Sequence, residues 1–158
     1  MTLRIERASE RDVPLILKLI KDLAEYEHLS HAVTATEAAL RESLFVKRAA
    51  EVVIGYAGDE PAGFALFFQT FSTFMGVPGM YLEDIFVEPK WRRKGLGRQL
   101  LVQLARIASE RGYGRVEWSV LNWNEPAIGF YKALGAKPMD EWTVYRVTGD
   151  ALIRLAGA

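Results

Sequence analysis

A strand, a glycine-rich basic turn and a long amphipathic helix follow one another in the second half of the chain. The strand is predicted over Met80–Val87 and is stopped by Pro89. The helix is predicted over Gly95–Arg111, and its apolar stripe consists of Leu96, Leu100, Leu104 and Ile107. Alternating apolar residues predict a further strand from Val116 to Val120. A strand, a helix and a strand in this order predict a right-handed parallel crossover, and therefore the α/β class.

The remaining predicted elements extend this crossover into a mixed sheet. Leu3–Arg7 alternates like a half-buried strand, and Ser9 with Asp12 predicts the cap of the following helix. A hairpin is predicted from Glu51–Tyr56 and Pro61–Phe71. The other predicted elements are a short helix from the Thr34–Glu37 cap to Phe45, a helix that Asn124 caps and Gly135 ends, a strand over Trp142–Val147, and a terminal helical turn over Asp150–Leu155. We expect one α/β domain over residues 1–158, with helices on both faces of its sheet.

Composition excludes several classes of protein. The 158 residues include 20 basic and 20 acidic side chains, so the chain lacks the basic excess that general nucleic-acid binding requires. It contains no cysteine, which excludes disulfides, thiol catalysis and cysteine metal sites. The two histidines, His28 and His31, belong to no further metal-ligand pattern, so we expect no metal. The charged N-terminus and the short apolar runs predict a cytoplasmic protein that does not bind a membrane.

The turn before the long helix has the features of a phosphate-binding loop. Its residues are Arg92, Arg93, Lys94, Gly95, Leu96, Gly97 and Arg98. Glycines let a ligand approach the backbone, and the N–H groups of a helix's first turn attract anions, as do the basic side chains. By itself the loop fits both a pyrophosphate cradle and a tight turn with a solvated basic rim. It is not a P-loop, because no Gly-Lys-Ser/Thr follows.

Two motifs together resemble the GNAT superfamily of N-acetyltransferases. Arg92-x-x-Gly95-x-Gly97 is similar to that family's acyl-CoA loop, R/Q-x-x-G-x-G/A. Asn124-Glu125-Pro126, with Phe130-Tyr131 and Gly135-Ala136, is similar to its later motif. A narrower resemblance is to the diamine and thialysine N-acetyltransferases, the spermidine/spermine acetyltransferase group. It rests on three segments: Leu23-Ala24-Glu25-Tyr26-Glu27, Tyr81-Leu82-Glu83-Asp84-Ile85-Phe86-Val87 and Trp123-Asn124-Glu125-Pro126.

The resemblance implies a fold, a reaction and an assembly. The fold is a GNAT-type sheet of six or seven strands. The reaction is direct transfer of acetyl from acetyl-CoA to the primary amine of a small cationic substrate, without a metal, and the assembly is a homodimer. By the same resemblance the backbone of Ile85, Phe86 and Val87 contacts the pantetheine arm, and Asn124 touches the cofactor as well as capping its helix. The resemblance also implies that Tyr26 and Glu27 line the amine pocket, either that of their own subunit or, across the dimer interface, that of the partner.

Acetyl transfer to an amine requires a group that removes the amine proton and an acid for the departing thiolate. Tyr131 is the candidate acid, because a phenol stays protonated at neutral pH and the family places this tyrosine beside the CoA sulfur. Glu83 is the candidate for moving the amine proton, through water. Strand alternation puts Glu83 and Asp84 on opposite faces, so one of them is expected to point inward. Together with Glu27 and Glu141, these carboxylates favour a cationic substrate.

Each candidate also has a simpler interpretation. Tyr131 fits an ordinary packing role on the apolar face of its helix, and Glu83 fits a solvent-facing or ion-paired carboxylate. The polyamine enzymes carry an acid in the loop that reads Ser72-Thr73 here, so we expect a weaker grip on long polycations. The alternative functions are acetylation of a protein or peptide amine, and a non-catalytic regulator that binds CoA or an amine.

Overall fold

The computed structural model describes residues 2–158, which form two compact units. The first unit extends to Ser119 and the second is Val120–Ala158. The first unit contains the strands β1 (Leu3–Arg7), β2 (Glu51–Ala57), β3 (Glu60–Ser72), β4 (Val77–Val87) and β5 (Val116–Trp118), and the helices α1 (Val13–Tyr26), α2 (Glu37–Arg41) and α3 (Leu96–Glu110). The second unit contains the helices α4 (Glu125–Ala133) and α5 (Gly149–Ala156).

The five strands form one mixed sheet in the order β1-β2-β3-β4-β5. The first four strands are antiparallel neighbours, and β5 runs parallel to β4 after the connection through α3. The predicted hairpin, the predicted parallel crossover and the α/β class are therefore confirmed. The expected count of six or seven strands is wrong, because residues 2–158 contain five.

The missing strand is the one predicted over Trp142–Val147, a segment without regular structure. Apolar alternation makes a segment suitable for a sheet, but a strand also needs a neighbour for its backbone hydrogen bonds. This segment adds no sixth strand to the described sheet. The terminal helical turn predicted after it is confirmed as the longer helix α5.

Helices cover both faces of the sheet, as predicted. Ile54 of β2, Phe64 of β3 and Phe86 of β4 form one row across the sheet and pack against α1 in a buried apolar cluster. Gly55 points to the opposite face, where a Cβ atom would lie 2.7 Å from Leu96 at the start of α3. A side chain at position 55 would therefore force the Leu96 side chain to shift.

Local sequence patterns predicted one of the first two helix caps correctly and misplaced the other. The predicted cap of Ser9 with Asp12 is confirmed, because the Ser9 N–H donates to Asp12 Oδ2 at 2.7 Å. The helix that it caps is a single 3-10 turn, Glu10–Asp12, which leads directly into α1. The cap predicted at Thr34 is wrong, since the Ala39 N–H donates at 3.1 Å to Thr36, which directly precedes α2. Thr34 and Thr36 both precede Glu37 closely enough to resemble a cap. Because α2 begins at Glu37, Thr36 is the residue that caps it. Among residues 2–158, no helix combines the length and the apolar character needed to cross a bilayer.

Candidate active site

A β-bulge in β4 shapes the candidate amine-binding region. On the ladder with β3, Asp84 pairs with Leu66 and Leu82 pairs with Phe67, so Glu83 has no partner residue. Such an extra residue bends a strand and redirects its side chains. The regular alternation that predicted opposite faces for Glu83 and Asp84 is therefore interrupted at this point. Glu83 is exposed, whereas Asp84 is half-buried on the face that α1 covers.

Three carboxylates gather where α1 ends beside the bulge, and we call Glu27, Glu83 and Asp84 the acidic cluster. Burial, together with the negative charges of Glu83 and Glu27, raises the pKa of Asp84 to about 6. Burial also raises the pKa of Glu27. Glu27 lies 57 positions before Asp84 in the sequence, so only the fold brings these two charges together. A cationic group would relieve the repulsion among the three carboxylates.

Tyr26 belongs to the same region because it is the last residue of α1. Its ring centroid lies 6.3 Å from that of Phe86 on β4. The structure therefore brings together four of the five residues predicted to bind substrate: Tyr26, Glu27, Glu83 and Asp84. The fifth, Glu141, lies in the second unit, in the exposed segment between α4 and α5.

One edge of β4 is open beyond the bulge. β5 pairs with Met80, Tyr81 and Leu82 only, whereas β4 continues to Val87. Among the described residues, no strand pairs with the stretch from Glu83 to Val87 on the side of β4 where β5 lies. Such an edge offers backbone N–H and C=O groups to an extended ligand. The backbone predicted to contact pantetheine, Ile85 to Val87, lies on this stretch.

The basic loop leads from β4 into α3 through backbone conformations that favour glycine. Gly95 precedes α3 with a φ of 90°, and Arg93 also has a positive φ, 61°. A Cβ atom on Gly95 would meet nothing within 4 Å, so the space beside the helix start is open. Because the N-cap is a glycine, its side chain cannot cap the first-turn N–H groups. Arg93, Lys94 and Arg98 are exposed around this helix start, and the whole arrangement suits an anion such as the pyrophosphate of CoA.

Two of the predicted loop residues turn inward. Leu96 is buried, so its backbone rather than its side chain faces the open space. The Arg92 side chain donates from Nε to the Val87 carbonyl oxygen at 2.9 Å. Its guanidinium carbon lies 4.5 Å from the ring centroid of Tyr26 and 5.4 Å from that of Phe86. The sequence contained no signal for this contact, because Tyr26 and Arg92 are far apart along the chain.

The predicted residues of the second unit lie on or next to α4. Asn124 caps this helix, and its Oδ1 accepts a hydrogen bond from the Ala127 N–H at 3.4 Å, so the predicted cap is confirmed. Tyr131 lies within α4, with its ring centroid 5.8 Å from that of Phe130. α4 ends before Gly135, whose φ of 93° suits the predicted C-terminal glycine.

The loop expected to set substrate length lies far from the acidic cluster of its own chain. Ser72 ends β3 and pairs with Val77 at the tip of the β3–β4 hairpin. It is buried, and its hydroxyl accepts a hydrogen bond from the Met75 N–H at 3.2 Å. At about 3.3 Å per residue, Glu83 is roughly 20 Å from Val77 along β4. Ser72 therefore stabilises the turn and does not face the cluster.

Comparison with known proteins agrees with this architecture. The acetyltransferase (GNAT) family profile matches residues 15–136. An L-ornithine N5-acetyltransferase of Arabidopsis thaliana is 35% identical, over 94% of this chain and 86% of its own. The thialysine N-epsilon-acetyltransferase of Bos taurus is 36% identical, over 97% of this chain and 96% of its own.

A solved structure extends the similarity to three dimensions. An integron cassette protein from the mobile metagenome of V. cholerae superposes with a TM-score of 0.83 at 29% identity, covering 100% of this chain and 99% of the other. The family match and the two relatives cover most of the residues from which the resemblance was drawn, including both motifs. The chain therefore belongs to the GNAT acetyltransferase family and is an N-acetyltransferase.

Proposed function

We propose that the protein transfers acetyl from acetyl-CoA directly to the primary amine of a small cationic substrate, with both substrates bound at once. The substrate class is a diamine, a polyamine or an amino acid with a terminal amine, such as thialysine or ornithine. The observation that carries this proposal is the acidic cluster, in which a half-buried aspartate lies beside two further carboxylates. Such a cluster attracts an ammonium group and disfavours anionic substrates.

The acidic cluster also provides the base for the reaction. An ammonium has no lone pair, so a proton must leave the amine before it attacks the acetyl carbon. Glu83 is exposed at the bulge and takes this proton through water, which carries it to solvent. Asp84 and Glu27 hold the remaining positive charge of the substrate and keep its reacting amine beside β4.

The basic loop and the open edge of β4 suit the cofactor. Bound acetyl-CoA supplies the acetyl group as an activated thioester. The first-turn N–H groups of α3, with Arg93, Lys94 and Arg98, hold its pyrophosphate, and the backbone of Ile85 to Val87 holds the pantetheine arm. Asn124 contributes a further polar contact to the cofactor.

Tyr131 completes the transfer as the general acid. The amine nitrogen forms a bond to the acetyl carbon while the carbon–sulfur bond breaks. The Tyr131 hydroxyl donates its proton to the departing sulfur. The acetylated nitrogen releases its second proton to solvent, and solvent returns a proton to Tyr131. Holding amine and thioester together supplies much of the rate enhancement, because it replaces a bimolecular encounter.

The number of carboxylates in the acidic cluster of the first unit indicates a preferred length of the substrate. Three acidic groups match a short amine with one or two further charges. The named substrates of the two relatives, L-ornithine and thialysine, are short amino acids with a terminal amine. We therefore assign the preferred substrate to this short class.

We also propose a homodimer, which the family resemblance implies, and a cytoplasmic location. Sedimentation at micromolar concentration is expected to give about twice the chain mass of 17.8 kDa. A monomer with full activity would contradict a site shared between subunits.

The activity is tested by following CoA release from acetyl-CoA with a panel of amines. The panel contains thialysine, L-ornithine, lysine, putrescine, spermidine and spermine, together with a peptide that has a free N-terminus. Turnover is expected with the short amines. Turnover with the peptide alone would favour a protein N-acetyltransferase, and binding of CoA without any turnover would favour a regulator.

A further inference from the structure

Arg92 is in contact with both halves of the candidate site. Its Nε donates to the carbonyl of Val87, at the end of the strand proposed to hold pantetheine. The same side chain begins the basic loop that leads into α3. Its guanidinium lies 4.5 Å from the centroid of Tyr26, at the end of α1 beside the acidic cluster.

The geometry of the contact suits arginine in particular. The guanidinium is planar, so its face can lie against an aromatic ring while its edge donates hydrogen bonds. Here the ring of Tyr26 and, 5.4 Å away, the ring of Phe86 adjoin the same guanidinium. Lysine preserves the charge but lacks the planar group and the fixed Nε donor.

Tyr26 is adjacent in the chain to one charge of the acidic cluster. Glu27 follows it directly and is the residue at which α1 ends. The negative charge of Glu27 acts on Asp84, so the end of α1 lies close enough to the bulge in β4 for their carboxylates to interact. A side chain that fixes Tyr26 therefore also fixes Glu27 relative to the bulge.

We propose that Arg92 is a positioning residue that couples amine recognition to cofactor binding. Cofactor bound at the loop restrains Arg92, Arg92 restrains Tyr26, and Tyr26 presents Glu27 to the amine. Coupling of this kind is reciprocal, so each ligand tightens the binding of the other. This inference rests on the proposed function, because it takes the acidic cluster as the amine site and the basic loop as the CoA site.

The experiment measures the two affinities as a thermodynamic cycle. Calorimetry with CoA, which carries no acetyl group and permits no turnover, gives the Kd of CoA with and without saturating thialysine. In the wild type we expect thialysine to tighten CoA binding about 5- to 10-fold, within the ordinary range of coupling between sites. In Arg92→Gln and in Tyr26→Leu the factor is expected to fall below about 2.

Conservative variants separate positioning from a structural role. Tyr26→Phe keeps the ring and should retain the coupling, whereas Arg92→Lys keeps the charge and should lose it. The matched control is Tyr56→Leu, which removes the ring of a second arginine–tyrosine contact with the same 4.5 Å separation, formed with Arg4 in the strands β1 and β2. This control is expected to change the melting temperature and to leave the coupling factor intact.

The outcomes distinguish this inference from the proposed function. If wild-type protein binds both ligands and Tyr26→Leu keeps the full coupling factor, the role of Arg92 is overturned while the proposed function stands. Equal loss of coupling in Tyr56→Leu would likewise reduce the effect to general destabilisation. If the wild type binds CoA but none of the panel amines, the proposed function fails and the inference fails with it.

Discussion

Asp84 pairs with Leu66 in the ladder between β3 and β4, and the ladder then passes over Glu83 before Leu82 pairs with Phe67. Two carboxylates adjacent in the chain thus have different surroundings, one half-buried and one exposed. A difference in environment of this kind separates the roles of two similar acids. Asp84 is suited to hold a cation, and Glu83 to exchange a proton with water.

Stability should depend on pH through Asp84. Its pKa in the folded protein is about 6, above the ordinary 3.8, so folding costs free energy once the unfolded carboxyl ionises. Below about pH 4 Asp84 is protonated in both the folded and the unfolded protein, so stability is not reduced. The loss of stability grows as pH rises from about 4 to 6 and reaches its full value above pH 6. The difference corresponds to about 3 kcal/mol, and to about 1–2 kcal/mol after allowance for solvent screening of a half-buried group.

Asp84→Asn should therefore raise the free energy of unfolding by about 1–2 kcal/mol at pH 7.5 and leave it nearly unchanged at pH 4. Urea denaturation at the two pH values measures the difference. Asp59→Asn is the matched control, because Asp59 is fully exposed in the β2–β3 turn and should show neither effect. An equal gain at both pH values would contradict the raised pKa.

Activity should show two rising limbs with pH. The value of kcat/KM for a short amine should rise near pH 6 as Asp84 ionises, and again between pH 7 and 9 as more free amine becomes available. Asp84→Asn is expected to lose the lower limb, to retain the upper one, and to raise the amine KM about tenfold or more, as loss of a charge contact does. Stopped assays across pH 5 to 9 at fixed salt measure both limbs. A lower limb that persists in the variant would assign it to another group.

Removal of the Tyr131 hydroxyl should affect chemistry and not binding. Tyr131→Phe keeps the ring beside Phe130, and we expect kcat to fall about 10²-fold while CoA affinity and melting temperature change little. Tyr145→Phe is the control, since Tyr145 lies in the same unit and is exposed. Undiminished kcat in Tyr131→Phe would leave this residue with a packing role.

A negative charge in the basic loop should abolish cofactor binding without unfolding the protein. A Cβ atom on Gly97 would lie 3.8 Å from Val87, an ordinary contact, so the fold accommodates a side chain there. Gly97→Asp should weaken acetyl-CoA binding by at least 10²-fold, because its carboxylate faces the phosphates at the helix start. Gly97→Ala separates size from charge and should lose much less affinity in calorimetry. Similar losses for both variants would show that crowding dominates.

Substrate choice is expected to favour short amines. We expect kcat/KM for thialysine, or for a short diamine, to exceed that for spermine by tenfold or more, since one charge contact contributes on the order of 1.4 kcal/mol. The comparison uses thialysine, lysine, putrescine, spermidine and spermine at one pH and one ionic strength. Spermine as the best substrate would refute the assignment based on three carboxylates.

Local sequence patterns were sufficient to predict most of the elements and the family. The capping pair Ser9 and Asp12, the apolar stripe of α3, the hairpin turn and the cap at Asn124 all act within a few residues of where they stand. Their physics is contained in the segment itself, so they were predictable from it. The glycines and basic residues from Arg92 to Arg98, with the motif around Tyr131, were sufficient to identify the acetyltransferase resemblance.

Tertiary structure alone decided which distant groups meet. The bulge at Glu83 depends on the register with β3, which alternation within β4 does not contain. The strand predicted over Trp142–Val147 is absent because strand formation requires a neighbour as well as a pattern. Burial of Asp84 raises its pKa, and the effect of Glu27 on Asp84 and the contact of Arg92 with Tyr26 each join residues more than fifty positions apart. Burial and charge proximity are properties of the packed chain, and no short segment carries them by itself.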